Sequence, residues 1–302
     1  MATSSYLDFD VIARIHNMQL LAKVVVEGFI LGLHRSPYRG FSVEFAEYRQ
    51  YSPGDEVKHI DWKVYGKTDR YYLKQFEEET NLVCYLLLDA SGSMGYRSAD
   101  AAFSKLQYGS RMAACLAYFM MRQRDAVGLL TFDSRVRTVL PPRARQSHLK
   151  HILSELDRLE PGGDTNLSVP MHSLAEGLKR RGLIILISDL VDDAAAVLSA
   201  LQHFRFQGHE VIVFQVMDNA ELRFPFDTMT EFTDLETGEK AMVSPEGMRP
   251  VYMAQLREFL DAYERGCADI RADYRLFDTK QPLEIALSEY LYRRSRLGRC
   301  RS

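Results

Sequence analysis

The chain has 302 residues, of which 46% are hydrophobic and 26% are charged, and these values exclude a largely disordered, collagen-like or coiled-coil chain. Its net charge is −3, from 38 Lys and Arg residues against 41 Asp and Glu residues, so the chain lacks the net basic character expected of a nucleic-acid-binding domain. The four cysteines are far apart and form no CxxC pair, which predicts reduced thiols rather than disulfides or a zinc site.

The beginning of the sequence shows no signal for secretion or membrane insertion. It carries acidic residues early and no basic stretch, unlike a secretory signal. The most apolar stretch nearby, Leu20 to Leu33, is interrupted by Lys23 and Glu27 and is too short to span a bilayer. The sequence therefore predicts a cytoplasmic protein without a membrane span.

Residues 1–80 have an irregular pattern and are predicted to form an N-terminal helix-and-strand extension. Apolar residues that recur every three to four positions predict a helix over Leu7–Leu33. Alternating apolar and polar residues predict a strand over Ser42–Tyr48, and a second strand is expected over Tyr71–Phe76.

Strands and helices alternate over residues 81–302, which are predicted to form a second domain. The predicted strands are Leu82–Leu88, Ala126–Phe132, Val136–Leu140, Leu183–Ile187, Val211–Val216 and Tyr274–Phe277. The predicted helices are Ala101–Arg122, Leu149–Leu159, Ser168–Arg180, Ala194–Phe206, Tyr252–Arg265 and Leu283–Arg294. An insertion near residues 218–250, with a hairpin within Glu231–Val243, breaks this rhythm. Because several strands are continuous apolar runs, the pattern predicts an α/β fold with a doubly wound, mostly parallel sheet.

The clearest chemical signal is Asp89-Ala90-Ser91-Gly92-Ser93, directly after the first buried strand. Ligands of doubly wound sheets bind at the carboxyl ends of the strands, which is where this segment is expected. One carboxylate and two hydroxyls at a spacing of two present hard oxygen donors, and the small residues between them allow a tight turn. Oxygen donors of this kind suit Mg²⁺, Mn²⁺ or Ca²⁺.

Two later segments are expected at the same edge of the sheet. Gly162-Gly163-Asp164-Thr165 is a flexible loop that ends where a helix begins, and Ser188-Asp189 ends the second buried strand. Either Thr165 or Asp164 could be the ligand from the loop. The predicted metal ligands are Asp89, Ser91, Ser93, Thr165 and Asp189.

These five positions resemble the metal-ion-dependent adhesion site of von Willebrand factor type A domains. The resemblance implies that Ser91, Ser93 and Thr165 contact the metal, and that Asp89 and Asp189 act directly or through water. It also implies an open coordination position that an Asp or Glu carboxylate of a partner protein fills. The expected fold is therefore von Willebrand type A-like.

Further stretches resemble the domain of unknown function 58 family over nearly the whole chain. They are Gly32–Ser36, Glu44–Arg49, Tyr51–Asp55, His59–Trp62, Gln75–Glu79, Asp234–Glu239, Pro282–Leu283 and Tyr290–Leu291. Proteins of this family are bacterial or archaeal and are commonly encoded beside MoxR-type AAA+ ATPases. The resemblance implies an adaptor or co-chaperone whose partner is a MoxR-type AAA+ ATPase or its client.

Two other functions stay open at the level of the sequence. A metal-assisted hydrolase could use the same cation to activate water, but it needs a general base, and no His or Glu of the adjacent motifs clearly offers one. A purely structural domain would use Asp89 or Ser91 only to cap a strand-to-helix turn. A serine hydrolase is disfavoured because Ser91-Gly92-Ser93-Met94-Gly95 lacks the first glycine of a nucleophile elbow.

Overall fold

The computed structural model describes residues 17–23, 25–26, 48–50, 65–66, 71–74, 82–163, 166–235, 237–283 and 285–287. Two of the loop residues considered as metal ligands, Asp164 and Thr165, lie outside the described residues. The predicted helix over Leu7–Leu33 is described only in part, and residues 18–23 and 25–26 of it are helical. Most of the predicted strand over Ser42–Tyr48 and the second half of the predicted helix over Leu283–Arg294 also lie outside the description.

The described strands and helices follow the predicted alternation closely. The strands are β1 (Tyr48–Gln50), β2 (Tyr72–Lys74), β3 (Val83–Asp89), β4 (Ala126–Phe132), β5 (Val136–Arg143), β6 (Leu183–Ser188), β7 (Glu210–Met217), β8 (Thr230–Thr233), β9 (Lys240–Val243) and β10 (Asp273–Asp278). The helices are α1 (Lys105–Arg122), α2 (Gln146–Arg158), α3 (Ser168–Gly177), α4 (Ala194–Phe206), α5 (Asn219–Arg223) and α6 (Pro245–Asp269). Within the part of the chain described, no helix has the length and apolar character needed to cross a membrane.

Six of the strands form one sheet in the order β10-β7-β6-β3-β4-β5. All neighbours in this sheet are parallel except β4 and β5, which are antiparallel. The prediction of a doubly wound, mostly parallel α/β sheet is therefore confirmed. After β3 the chain continues to β4 on one side of β3, and it later returns to form β6 on the other side of β3. Strand order thus reverses beside β3, and in such sheets the crevice at the carboxyl ends of the strands is the usual ligand site.

An apolar layer covers each face of the central sheet. Side chains of β3 alternate between the layers, as they must in a strand: Leu86 and Leu88 join the layer of α1 and α2, whereas Tyr85 and Leu87 join the layer of α3, α4 and α6. The described parts of the N-terminal extension add Leu21, Ala22, Val25 and Val26 to the first layer. Both faces of β3 are therefore dry, which explains its continuous apolar sequence.

Three helices begin at residues other than those predicted, and α2 starts at Gln146 rather than at Leu149. Helix α1 starts at Lys105 rather than at Ala101, because Ser104 caps it: the Ser104 hydroxyl accepts from the Gln107 amide, and the Gln107 side chain accepts from the Ser104 amide. Helix α6 starts at Pro245 rather than at Tyr252. Pro245 occupies the first turn, where a missing amide hydrogen costs nothing, and the helix continues through Pro250.

The hairpin predicted in the insertion is formed by the antiparallel strands β8 and β9. It is anchored to the start of α6 by stacked and edge-on aromatic rings. Phe224 contacts Phe226, Phe232 and Tyr252, with ring centroids 4.9–5.8 Å apart. The insertion follows β7 and therefore lies near the carboxyl edge of the sheet.

Candidate metal centre

The centre of the site is the pair of strand ends at β3 and β6. Asp89 is the last residue of β3, and Ser188 is the last residue of the neighbouring β6, followed by Asp189. The Ser188 hydroxyl donates to Asp89 Oδ2 over 2.6 Å, so a hydrogen bond joins the two strand ends. Asp89, Ser188 and Asp189 are all fully buried. Two buried carboxylates therefore lie in the crevice at the point where the strand order reverses.

The turn after β3 closes on the Asp89 carboxylate and brings the two serine hydroxyls together. Asp89 Oδ1 accepts from the Ser91 amide over 2.8 Å, which folds the chain back on itself. The hydroxyl oxygens of Ser91 and Ser93 are 3.2 Å apart. Ser91 is buried and Ser93, which begins a short 3-10 turn, is half-buried. The spacing of two residues thus places both hydroxyls on one side of the turn.

The glycine loop before Thr165 is fastened to this turn. The Gly162 amide donates to Ala90 O over 3.1 Å, and the Gly92 amide donates to Gly163 O over 3.0 Å. Thr165 itself is outside the described residues, but the chain two residues before it is in contact with the Asp89 turn.

Asp133, directly after β4, stabilises the glycine loop through Arg137. Its carboxylate accepts from Arg137 Nε and Nη2, each over 2.7 Å, and Arg137 Nη1 donates to Glu160 O over 2.8 Å. Gly163 has a φ of +38°, and a Cβ added there would lie 2.7 Å from Asp133 Oδ2. Only glycine fits this position without strain, because it combines a left-handed backbone with a close approach to a carboxylate.

A buried lysine lies beside the metal candidates. Lys105 Nζ donates to Asp189 Oδ2 and to Glu221 Oε1, each over 2.7 Å, and its side chain is only 1% exposed. The other Asp189 oxygen accepts from the Val191 amide over 3.2 Å. The sequence analysis missed Lys105 and Glu221, since a lysine at a helix start and a glutamate in an insertion carry no local signal of burial.

Glu221 is itself held in place at the carboxyl end of β7. Its Oε2 accepts from the Asp218 amide over 2.8 Å, and its backbone oxygen accepts from the Tyr252 hydroxyl over 2.8 Å. Asp218 caps α5 and also accepts from the Ser98 amide over 3.1 Å. The Lys105 ammonium is therefore fixed by two carboxylates that cannot easily move.

Burial dominates the electrostatics of this cluster. Removal from water, and then the charge of Asp189, raise the pKa of Asp89 to about 7, although hydrogen bonds from Ser188 and Ser91 oppose the change. Burial alone would lower the pKa of Lys105, but the charges of Asp189 and Glu221 outweigh it and raise that pKa. Burial raises the pKa of Glu221, and Lys105 opposes this shift. The Asp89 carboxylate is thus the least compensated charge of the cluster.

The donor set fits a hard divalent cation. Carboxylate and hydroxyl oxygens suit Mg²⁺, and Mn²⁺ or Ca²⁺ accept the same donors. No group of three or more His, Cys, Asp or Glu side chains is arranged to hold a metal among the residues the structure describes. A cation at this edge would therefore depend on the serine hydroxyls as well as on the carboxylates. The described members of the predicted ligand set at this edge are Asp89, Ser91, Ser93 and Asp189.

The match to a family model agrees with the resemblance to the domain of unknown function 58 family noted in the sequence. A family model described as "Protein of unknown function DUF58" matches residues 47–259. The uncharacterized protein Rv1480 of Mycobacterium tuberculosis is 24% identical over 231 residues, which cover 75% of this chain and 71% of that protein. Among solved structures, the conserved hypothetical protein BatB from Bacteroides thetaiotaomicron is 19% identical with a TM-score of 0.47, covering 71% of this chain and 99% of that one. The VWA domain of SpRpn10 is 12% identical with a TM-score of 0.41, covering 68% of this chain and 93% of that one.

Proposed function

The chain belongs to the DUF58 family, and from this premise we propose that it is a metal-dependent protein-interaction module. One observation carries the proposal: Asp89, Ser91, Ser93 and Asp189 are brought from two strand ends into the crevice where the strand order reverses. A set of oxygen donors at this place, with a buried carboxylate whose charge is poorly compensated, is what a cation site requires.

Each residue of the site has a defined task in this proposal. Ser91, Ser93 and Thr165 would hold the cation through their hydroxyl oxygens, while Asp89 and Asp189 balance its charge and orient its waters. A bound Mg²⁺ supplies a coordination position that a carboxylate oxygen from another protein can fill. Ser188 keeps the Asp89 carboxylate in one orientation through its 2.6 Å hydrogen bond.

The proposed partner is a protein that offers an Asp or Glu carboxylate. The family resemblance points to a MoxR-type AAA+ ATPase or its client in the cytoplasm, so that the chain would act as an adaptor or co-chaperone. Co-purification of the chain with that ATPase, in the presence of ATP and Mg²⁺, tests this part. Failure of the two proteins to co-purify would count against the ATPase but not against the cation site.

The cation site is tested by Asp89→Ala beside Asp100→Ala, which removes an exposed carboxylate elsewhere in the same stretch of chain. Calorimetric titration of Mg²⁺ and Mn²⁺ should show binding to the wild type and to Asp100→Ala but not to Asp89→Ala. Partner capture in a pull-down should follow the same pattern and disappear in EDTA. Capture that survives Asp89→Ala, with circular dichroism showing a folded protein, would refute the coordination mechanism.

The alternative of a metal-assisted hydrolase gains no support from the described histidines. His148 bonds to Val127 O near the start of β4, and His209 precedes β7, so both lie toward the opposite edge of the sheet. His172 and His203 bond to each other between α3 and α4. A panel of phosphatase and esterase substrates separates the two functions, because turnover that Asp89→Ala abolishes would favour the hydrolase.

A further inference from the structure

The Lys105 ammonium already occupies one face of a carboxylate that the proposed function assigns to the cation. It contacts Asp189 Oδ2 over 2.7 Å and is bound on its other side by Glu221, also over 2.7 Å. We propose that Lys105 and Glu221 together set the cation affinity of the site: Lys105 acts as a resident positive charge that weakens metal binding, and Glu221 offsets part of that charge. This inference rests on the proposed function and concerns the regulation of the same site.

Contacts of both the backbone and the side chain hold Lys105 in place. The Lys105 backbone amide donates to Tyr96 O over 3.1 Å, and Lys105 Nζ lies 5.9 Å from the centre of the Tyr96 ring. The capping box at Ser104 fixes the first turn of α1, to which Lys105 belongs. Because the side chain is 1% exposed, water cannot easily replace either carboxylate as its partner. Lys105 is therefore a permanent part of the site rather than a mobile surface charge.

The charges of the cluster are few and can be counted. Asp89, Asp189 and Glu221 contribute three negative charges and Lys105 one positive charge, so the cluster has a net charge of −2 when all four groups are ionised. Asp89 and Asp189 are fully buried, and salt screens such charges only weakly. Adding or removing one unit charge a few ångströms from a divalent cation changes its affinity by at least about tenfold at the effective dielectric constant of a partly buried site.

This arrangement makes the cation dependent on the partner. With Lys105 in place, part of the negative charge that would hold a divalent ion is already neutralised. A carboxylate that arrives with a partner protein adds one negative charge to the same site. Because coupling between two ligands is reciprocal, the cation and the partner each raise the affinity of the other. The chain alone would then bind the cation weakly, and the complex would bind it firmly.

Three variants of the full chain test the inference by the sign of their effects. Lys105→Met keeps an unbranched side chain that is one heavy atom shorter and removes the charge, and Mn²⁺ should bind at least about tenfold more tightly in calorimetry at pH 8. Glu221→Gln removes one negative charge and leaves Lys105 on Asp189, so Mn²⁺ should bind at least about tenfold more weakly. The double variant has the wild-type net charge, and its affinity should return to within about threefold of the wild type.

A purely structural role of the pair predicts a different pattern. Both single variants would then bind Mn²⁺ more weakly, and the double variant more weakly still. Circular dichroism and thermal melting identify folded variants. If Lys105→Met does not fold, Glu221→Gln and the double variant decide: unchanged or tighter binding by Glu221→Gln, or a double variant that fails to recover, overturns the inference.

The failure of this inference can be told apart from the failure of the proposed function. A wild type that binds Mn²⁺ while Lys105→Met binds no more tightly overturns the role of Lys105 alone. Absence of binding in the wild type, in Lys105→Met and in the presence of the partner overturns both. Binding that is measurable in Lys105→Met but not in the wild type supports the inference, because loss of the ammonium makes the site more negative.

Discussion

Replacing Asp89 by Asn should make the metal-free protein more stable, although it destroys the proposed cation site. In the folded chain, burial and the charge of Asp189 raise the pKa of Asp89 to about 7, well above its ordinary value of 3.8. Such a shift means that the ionised carboxylate costs the folded state about 4 kcal/mol, at about 1.4 kcal/mol for each pKa unit. Asn carries no charge and keeps an oxygen for the Ser91 amide, so it avoids this cost.

The expected gain is smaller than the full electrostatic cost. Ser188 loses its charged acceptor, and a buried hydroxyl without a good acceptor costs about 1 kcal/mol. The free energy of unfolding of Asp89→Asn should therefore exceed that of the wild type by about 3 kcal/mol at pH 8. An acid whose pKa is raised in the folded state stabilises that state at low pH and loses this contribution as the pH rises through the raised pKa. The advantage of the variant should accordingly shrink to less than about 1 kcal/mol at pH 5.

Urea unfolding of both proteins in EDTA, at pH 5 and at pH 8, measures this difference directly. Asp218→Asn is the matched control, because Asp218 is also a buried carboxylate that follows a strand of the central sheet, β7, but it caps α5. This control keeps the cap, because Asn accepts from the Ala220 amide as Asp does, but its amide nitrogen cannot accept from the Ser98 amide, so it should be destabilised by about 1 kcal/mol. An Asp89→Asn variant that is less stable than the wild type at pH 8, or whose advantage is equal at both pH values, would refute the electrostatic reasoning.

Three further predictions follow from named contacts. Gly163 has a φ of +38°, and an alanine Cβ there would lie 2.7 Å from Asp133 Oδ2. Gly163→Ala should therefore lower the free energy of unfolding in urea by about 1–2 kcal/mol and bind Mn²⁺ more weakly. The control Gly238→Ala, whose Cβ would meet no atom within 4 Å, should leave Mn²⁺ binding unchanged. Ser104→Ala should lower the free energy of unfolding by about 1 kcal/mol through loss of the capping box of α1; an unchanged value would show that the cap is dispensable. Burial lowers the pKa of His209, so the folded state favours the neutral ring. The contribution of His209 to the stability of the fold therefore declines as the pH falls below about 6.5. The difference in free energy of unfolding between the wild type and His209→Gln should shrink from pH 7 to pH 5, and a constant difference would contradict this.

The sequence was most informative where one local pattern decides a local structure. The continuous apolar runs predicted the central strands within a residue or two, because a strand covered on both faces can hold little else. The spacing of Asp89, Ser91 and Ser93 predicted a turn that gathers oxygen atoms, and the described backbone forms that turn. The starts of α1 and α6 were predicted less well, since Ser104 and Pro245 compete with other residues that could begin a helix.

The doubly wound sheet and the candidate oxygen ligands at its carboxyl edge were thus determined by the sequence itself, through the periodicity of burial and the chemistry of short motifs. Only the tertiary structure decided what surrounds those ligands. Lys105 meets Asp189 across 84 positions of sequence and Glu221 across 116, and none of the three has a local pattern that predicts the contact. A buried charge is stable only when an opposite charge is brought to it from elsewhere in the chain, so the fold, and not the motif, determines the electrostatic balance of the site.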